Sequence, residues 1–274
     1  ELYKNNFINS NNIYINNNDK FDDKNLVFLM GFPRSGTTLL DSILRSHPSI
    51  DVLEEKPLIY SIEKIIVDKF DCKLNNIYSL STKNIIELRN IYFDLQNKLL
   101  ANAKDIVIDK LPLHTVSLPL INLLFPSSKI IFAHRHPYDT VLSCFQQSFK
   151  PNSAMANLVN LNMASRLYDQ VMDAWDKYNN QRSLDLITSK YEKLVNNFDI
   201  QIAEIINFLD LEWSDNLKNF NLTAKNRVKI STPSSSQVIE PIYTSSIDKW
   251  KNYEKYFEDC HQYLKKWTYY FDYH

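Results

Sequence analysis

Only two glycines, Gly31 and Gly36, occur in the 274 residues of this chain. Every other turn is left to Asn, Asp, Ser and Pro, which enter special backbone geometry less freely. Two glycines kept within one short segment imply a loop whose backbone approaches something closely. A tight strand-to-helix turn without a ligand accounts for one of them better than for two. Cysteine is scarce as well. Cys72, Cys144 and Cys260 are odd in number and far apart, which excludes a disulfide framework and zinc-ligand spacing. A reduced, cytoplasmic setting is the resulting expectation. The formal net charge of -1 removes any global basic field for nucleic acid or an anionic membrane. No apolar run approaches the ~20 residues of a bilayer span, and no signal-peptide pattern follows Glu1. A chain opening on Glu rather than Met reads as an excised or processed piece, with room for a further domain ahead of it.

What the chain does hold is ordinary for a globular protein. It is 44% hydrophobic and 23% charged, and its length suffices for one domain with a full core. Residues 1–25, rich in Asn, Asp and Lys, read as a polar lead-in or linker; the domain proper is expected over 26–274. Leu26 to Met30 is a continuous apolar run, the pattern of a strand buried on both faces. It feeds directly into the glycine loop. From Thr37, residues Leu39, Leu40, Ile43 and Leu44 fall at helical spacing, ending near His47-Pro48.

Further strands are expected at 106–108, 129–133 and 184–188. Helical patterns at 84–102, 115–125, 137–149, 157–180 and 199–209 separate or follow them. This alternation predicts an α/β fold, a single P-loop-type domain with a mainly parallel sheet flanked by helices. Right-handed crossovers place the loops after the strands along one sheet edge, where ligands bind. The polar residues just beyond each strand are therefore the candidates: Arg34, Lys110, His134, Arg135 and Tyr191.

The glycine loop, Gly31-Phe32-Pro33-Arg34-Ser35-Gly36-Thr37-Thr38, has the glycine spacing of a Walker A phosphate loop. Thr37 stands where that motif has lysine, which removes the cation for the outer phosphates of a triphosphate. Arg34 offers a guanidinium fork inside the loop instead. Strand, loop and helix together aim backbone amides and a helix N-terminus at a phosphate.

At the level of motifs the chain resembles the sulfotransferases that use 3′-phosphoadenosine 5′-phosphosulfate (PAPS). Pro33-Arg34-Ser35-Gly36-Thr37-Thr38-Leu39 is similar to their 5′-phosphosulfate loop. Arg135-His136-Pro137-Tyr138-Asp139-Thr140-Val141-Leu142-Ser143 is similar to their 3′-phosphate motif, an Arg after a strand and a Ser on the helix that follows. The branch resembled includes tyrosylprotein sulfotransferases and the bacterial sulfotransferase domains that follow tetratricopeptide repeats. His47-Pro48 to Glu54-Glu55, Ser189 to Leu194, and Gln237 to Tyr243 leading to Lys249-Trp250 extend the likeness, in the family's order, from about residue 26 to 256.

The resemblance implies an enzyme that moves the sulfuryl group of PAPS to an acceptor hydroxyl and leaves PAP, with no metal. Arg34 and residues Ser35, Gly36, Thr37, Thr38 and Leu39 would hold the 5′-phosphate. Lys110 would stabilise the leaving oxygen, Arg135 and Ser143 would bind the 3′-phosphate, and Tyr191 and Lys249 would contact the nucleotide. Ser234 would assist the transferring group, with Ser235 and Ser236 competing for that place. Many cytosolic members use a His two positions beyond the lysine, but Pro112 stands there and His114 is out of register. The base is assigned by register to Glu55, with Glu54 adjacent.

Taken singly, Glu55 and Lys249 read as solvated surface, Tyr191 as packing, and the histidines and tryptophans as structural. A P-loop phosphotransferase and a non-catalytic nucleotide-binding module are the competing readings. The acceptor stays open among protein tyrosine, glycan and small molecule, with Phe145, Phe149, Met155 and Met163 placed to shape its pocket.

Overall fold

The computed structural model describes residues 23–100, 102–147, 155–181, 184–225 and 242–273. The expected lead-in up to residue 22, Phe149, Ser234 with its neighbouring serines, and the segment from Gln237 to Pro241 lie outside the described residues.

Five strands form one parallel sheet in the order β2-β3-β1-β4-β5. They are β1 (Leu26–Gly31), β2 (Ile50–Glu54), β3 (Ile106–Lys110), β4 (Lys129–His134) and β5 (Leu186–Lys190). The central strand β1 is buried at every position, as a run of apolar residues with no polar alternation requires. Its side chains divide by parity. Phe28 and Met30 enter one core, and Val27 and Leu29 enter the other.

The first core is covered by α2 (Leu58–Phe70), α3 (Thr82–Leu99), α4 (His114–Leu124), α5 (Pro137–Phe145), α6 (Leu161–Gln181) and α10 (His261–Tyr270). The second is covered by α1 (Thr37–Arg45), α7 (Tyr191–Asn196), α8 (Phe198–Phe208) and α9 (Phe220–Lys225). Among the described residues no helix is long and apolar enough to cross a membrane.

The expected α/β architecture is the observed one, and its strands prove to be parallel throughout. Several bounds move. The last strand begins at Leu186 rather than 184, α5 ends at Phe145, and α6 starts at Leu161 after a separate short 3-10 turn at Met155–Leu158. Strand β2 and helix α2 were not anticipated. β2 is an edge strand of five residues with Asp51 and Glu54 in it, so it lacks a long apolar run. α2 carries a plain helical stripe, Leu58, Ile59, Ile62 and Ile66. At the front of the domain Asp23 is buried and pairs with Arg89 at 2.6 Å, ahead of the boundary drawn at 26.

Phe132 on β4 and Trp175 on α6 stack with centroids 3.7 Å apart and planes 8° from parallel. Phe132 is fully buried and Trp175 nearly so. Trp175→Ala removes a large core side chain and should cost about 3–5 kcal/mol of stability, read as a lowered urea midpoint at unchanged slope.

Candidate active site

Right-handed crossovers bring the ends of β1, β3, β4 and β5 to one edge, and the loops there carry most of the residues singled out above. Gly31 ends β1 with its amide donating to the Pro112 carbonyl (2.9 Å) and its carbonyl accepting from Thr115 Oγ1 (2.7 Å). A Cβ at this position would overlap the carbonyl oxygen of Ala133 on β4. Gly36 precedes α1 at φ 97°, a left-handed conformation that glycine alone adopts freely. A Cβ there would stand 2.9 Å from the ring of Tyr191. The close approach expected of the two glycines is thus met first by protein: strand β4 at one, Tyr191 at the other.

Between them Arg34 sits at φ 70°, which turns its side chain across to α5. Its Nε donates to Ser143 Oγ at 2.9 Å. The two motifs therefore touch, although 109 positions separate them. Arg135, beyond β4, lies with its guanidinium 4.8 Å over the Tyr191 ring, and Nη2 donates to the Ser246 carbonyl at 2.5 Å. Its buried Nε has no hydrogen-bond partner among the described residues. Burial lowers the pKa of Arg34, with nearby Arg135 acting in the same direction; a guanidinium stays charged all the same.

A cleft of about 340 Å³ opens between these loops. Arg34, Gly36, Thr37, Thr38 and Leu39 line it together with Arg135, Ser143, Tyr191 and Lys249. Ser35 turns inward, buried, with no partner for its hydroxyl among the described residues. No side chain caps α1, so its first-turn amides and partial positive charge face the cleft. Two arginines, an orphaned guanidinium donor and an uncapped helix end make a setting that fits an anion of phosphate geometry.

Lys249 reaches this cleft because Asp139 holds its segment. The Asp139 carboxylate accepts from the amides of Asp248 (2.8 Å) and Trp250 (2.9 Å), and Lys249 Nζ then donates to Gln146 Oε1 at 3.1 Å. Burial raises the Asp139 pKa, while Arg135 and these amides oppose the shift. His134 and His136 flank Arg135, and burial lowers their pKa values to about 3 and about 4. They add no charge at neutral pH. His136 stacks on Trp250 at 5.4 Å and 13°.

Lys110 and Glu55 form a second group beside the first. Lys110 ends β3 with its side chain wholly buried, its Nζ 3.2 Å from Glu55 Oε1. Glu54 Oε1 and Asp41 Oδ2 each lie 3.8 Å from the same nitrogen. Glu55 occupies a left-handed conformation at φ 49°, and its amide donates to the Lys110 carbonyl at 2.8 Å. Its side chain is 29% exposed, against 8% for Glu54 and 0% for Asp41. Of the carboxylates around Lys110, Glu55 is therefore the one an incoming group meets.

The sulfotransferase family profile matches residues 27–215. The chain belongs to that family. This sulfotransferase is 29% identical over 244 residues to an uncharacterized protein of Aquifex aeolicus, the match covering 85% of the chain and 31% of the relative. It is 26% identical over 250 residues to the protein-tyrosine sulfotransferase of Drosophila melanogaster, covering 82% and 46%. It thus spans less than half the length of both relatives. Its fold matches the sulfotransferase domain of the Synechococcus PCC 7002 olefin synthase, with a TM-score of 0.62 at 19% identity over 91% of this chain and 96% of that one.

Sequence reasoning overlooked several residues of this sulfotransferase site. Asp41 reads as the polar face of an amphipathic helix, yet it is fully buried against Lys110 and is paired with Arg45 Nε at 2.9 Å. Asp139 lay inside a quoted motif, and its place in the first turn of α5 marks an acidic group near positive amides. Ser246 contributes its carbonyl to Arg135, which no side-chain pattern signals. Removing the ammonium takes away the buried cation that Asp41, Glu54 and Glu55 share. Lys110→Met should destabilise the fold by about 3–5 kcal/mol, the cost of breaking a buried ion pair, measured by urea denaturation.

Proposed function

We propose that this sulfotransferase moves the sulfuryl group of PAPS to an acceptor hydroxyl, with Glu55 as general base and without a metal. The observation that carries the reading is the contact of Arg34 with Ser143, beside Arg135, around one cleft. It gathers a positive loop for a 5′-phosphate and a second cation for a 3′-phosphate into the lining of the same opening. When bound, PAPS supplies an activated sulfur whose phosphate is the leaving group.

The chain's own residues then position and polarise. The loop amides from Ser35 to Leu39 and the Arg34 guanidinium hold the 5′-phosphate. Arg135 and Ser143 hold the 3′-phosphate, with Tyr191 beneath Arg135 and Lys249 lining the same cleft. Glu55 takes the acceptor proton as the acceptor oxygen bonds to sulfur. Lys110 stabilises the oxygen that keeps the electron pair of the broken sulfur–oxygen bond. The Lys110–Glu55 pair at 3.2 Å links these roles, since an ammonium turned toward the leaving oxygen releases the carboxylate to accept a proton. Ser234 is assigned to the transferring group on motif order.

Protein tyrosine is the acceptor that the Drosophila relative's name supports. The catalytic domain is taken as 26–274, behind a lead-in that ends near residue 25 and can join it to a further domain. A cytoplasmic setting remains the proposal drawn from the cysteines.

Calorimetric titration without metal tests the nucleotide class. Adenosine 3′,5′-bisphosphate should bind more tightly than 5′-AMP or ATP, and Arg135→Ala should abolish that preference. Equal binding of AMP, or tight ATP binding that needs magnesium, would overturn the 3′-phosphate reading in favour of phosphotransfer.

Glu55→Gln should lower kcat by about 10²-fold or more, the range for loss of a general base, while leaving bisphosphate affinity unchanged. Full transfer activity in that variant would remove Glu55 as the base.

A further inference from the structure

The end of the chain is packed around the loop that carries Arg135, in a region beyond the family match at 27–215. After α10, Phe271 stacks on His134 with centroids 4.7 Å apart and planes 21° from parallel. Tyr273 follows, set edge-on against His136 at 5.1 Å and 69°. Its hydroxyl donates to Glu192 Oε2 at 2.7 Å and lies 3.2 Å from His134 Nδ1. The other carboxylate oxygen, Glu192 Oε1, accepts from the backbone amide of His136 at 3.0 Å. Lys190, at the end of β5, fastens the tail from below. Its Nζ donates to the carbonyls of Phe271 (3.3 Å) and Asp272 (2.7 Å) and sits 3.9 Å from the Tyr273 ring centroid.

The contacts fall on both neighbours of Arg135 and spare Arg135 itself. His134 is held by stacking and by the Tyr273 hydroxyl, and His136 by Glu192 through its amide. Glu192 also follows directly after Tyr191, whose ring underlies Arg135. One carboxylate thus joins the tail, the backbone just after Arg135 and the helix turn beneath the guanidinium. A charged acceptor bridging two donors fixes direction more firmly than packing alone.

We propose that Tyr273 and Glu192 are positioning residues for 3′-phosphate recognition: the tail clamps the His134 ring on one side of Arg135 and, through Glu192, the His136 amide on the other, and so sets where its guanidinium points. The inference rests on the reading of Arg135 as the 3′-phosphate ligand. It adds that the selectivity of the cleft is set by residues that never enter it.

The test compares the full chain with Tyr273→Phe, Glu192→Gln and Arg135→Ala, using calorimetry with adenosine 3′,5′-bisphosphate and with 5′-AMP, alongside thermal unfolding. Tyr273→Phe keeps the ring and its packing and removes only the hydroxyl. The expected result is a loss of about tenfold in bisphosphate affinity, the order for a hydrogen bond to a charged group. Affinity for 5′-AMP and the unfolding midpoint should change little, and Glu192→Gln should show the same selective loss.

Two results would sink the clamp while leaving the nucleotide assignment standing. One is an unaltered preference for the bisphosphate in both variants. The other is an equal weakening of both nucleotides with a lowered midpoint, which would make the tail a general structural support. A parent chain that shows no preference for the bisphosphate would fail the nucleotide assignment itself and take the clamp with it.

Discussion

Gly31 has no Cβ, and the carbonyl oxygen of Ala133 on the neighbouring strand claims the space where one would stand. That close approach pairs β1 with β4 in a register that runs to the last residue of β1, Gly31 opposite Ala133. The loop after β1 and the loop after β4 consequently leave the sheet side by side. Arg34 then needs only its left-handed backbone to reach Ser143 on α5, and Arg135 faces the same opening. Gly36 completes the arrangement from the other end, since the Tyr191 ring that carries Arg135 lies where its Cβ would project. A scarce residue type has been kept at the two points where backbone and ring must come within contact distance. Gly31→Ala is therefore a different kind of change from an ordinary surface substitution. Its clash is with backbone, which cannot rotate away.

Charge is partitioned around α1. At its N-terminus the uncapped amides, Arg34 and Arg135 make a positive cleft, and one turn further on Asp41 meets Lys110 among carboxylates. A buried ammonium is tolerated only when it is paired. Asp41 and Glu54 supply that pairing from positions an acceptor cannot easily reach, and the more exposed Glu55 is the third member. The surplus of negative charge makes the lysine's place at the end of β3 stable without any one carboxylate being indispensable. This is the condition under which Lys110 can turn away from Glu55 without leaving the cluster.

Legibility in the sequence follows the range of the interactions. The glycine loop and the Arg135-to-Ser143 segment are continuous strand-loop-helix units, so local patterning exposed them together with their orientation at the sheet edge. The contact of Arg34 with Ser143 could be suspected only from family resemblance, because a fold must bring the two helices together first. β2 was hidden by Asp51 and Glu54, whose charges break the apolar run of an edge strand. Asp41 was hidden for the opposite reason: a carboxylate on an amphipathic helix, with Arg45 one turn on, looks solvated, and only the fold brings the buried Lys110 to it. Tyr273 had no local signature at all, since its partners lie 81 and 139 positions away.

The substitution of Thr37 for the Walker lysine explains why so much of the site is assembled at long range. A phosphate loop with its own lysine carries its cation wherever the loop goes. Here Thr37 is buried and uncharged, and besides Arg34 of the loop itself the cations that face or adjoin the cleft come from β3, from the loop after β4 and from the segment after Asp248. Each must be brought to the phosphate loop by a separate element and held there by its own anchor: the carboxylates for Lys110, Tyr191 and Ser246 for Arg135, and Asp139 and Gln146 for Lys249. An anchor of this kind is a specificity element as much as a structural one. It sets the distance between cations that a single loop could not hold apart.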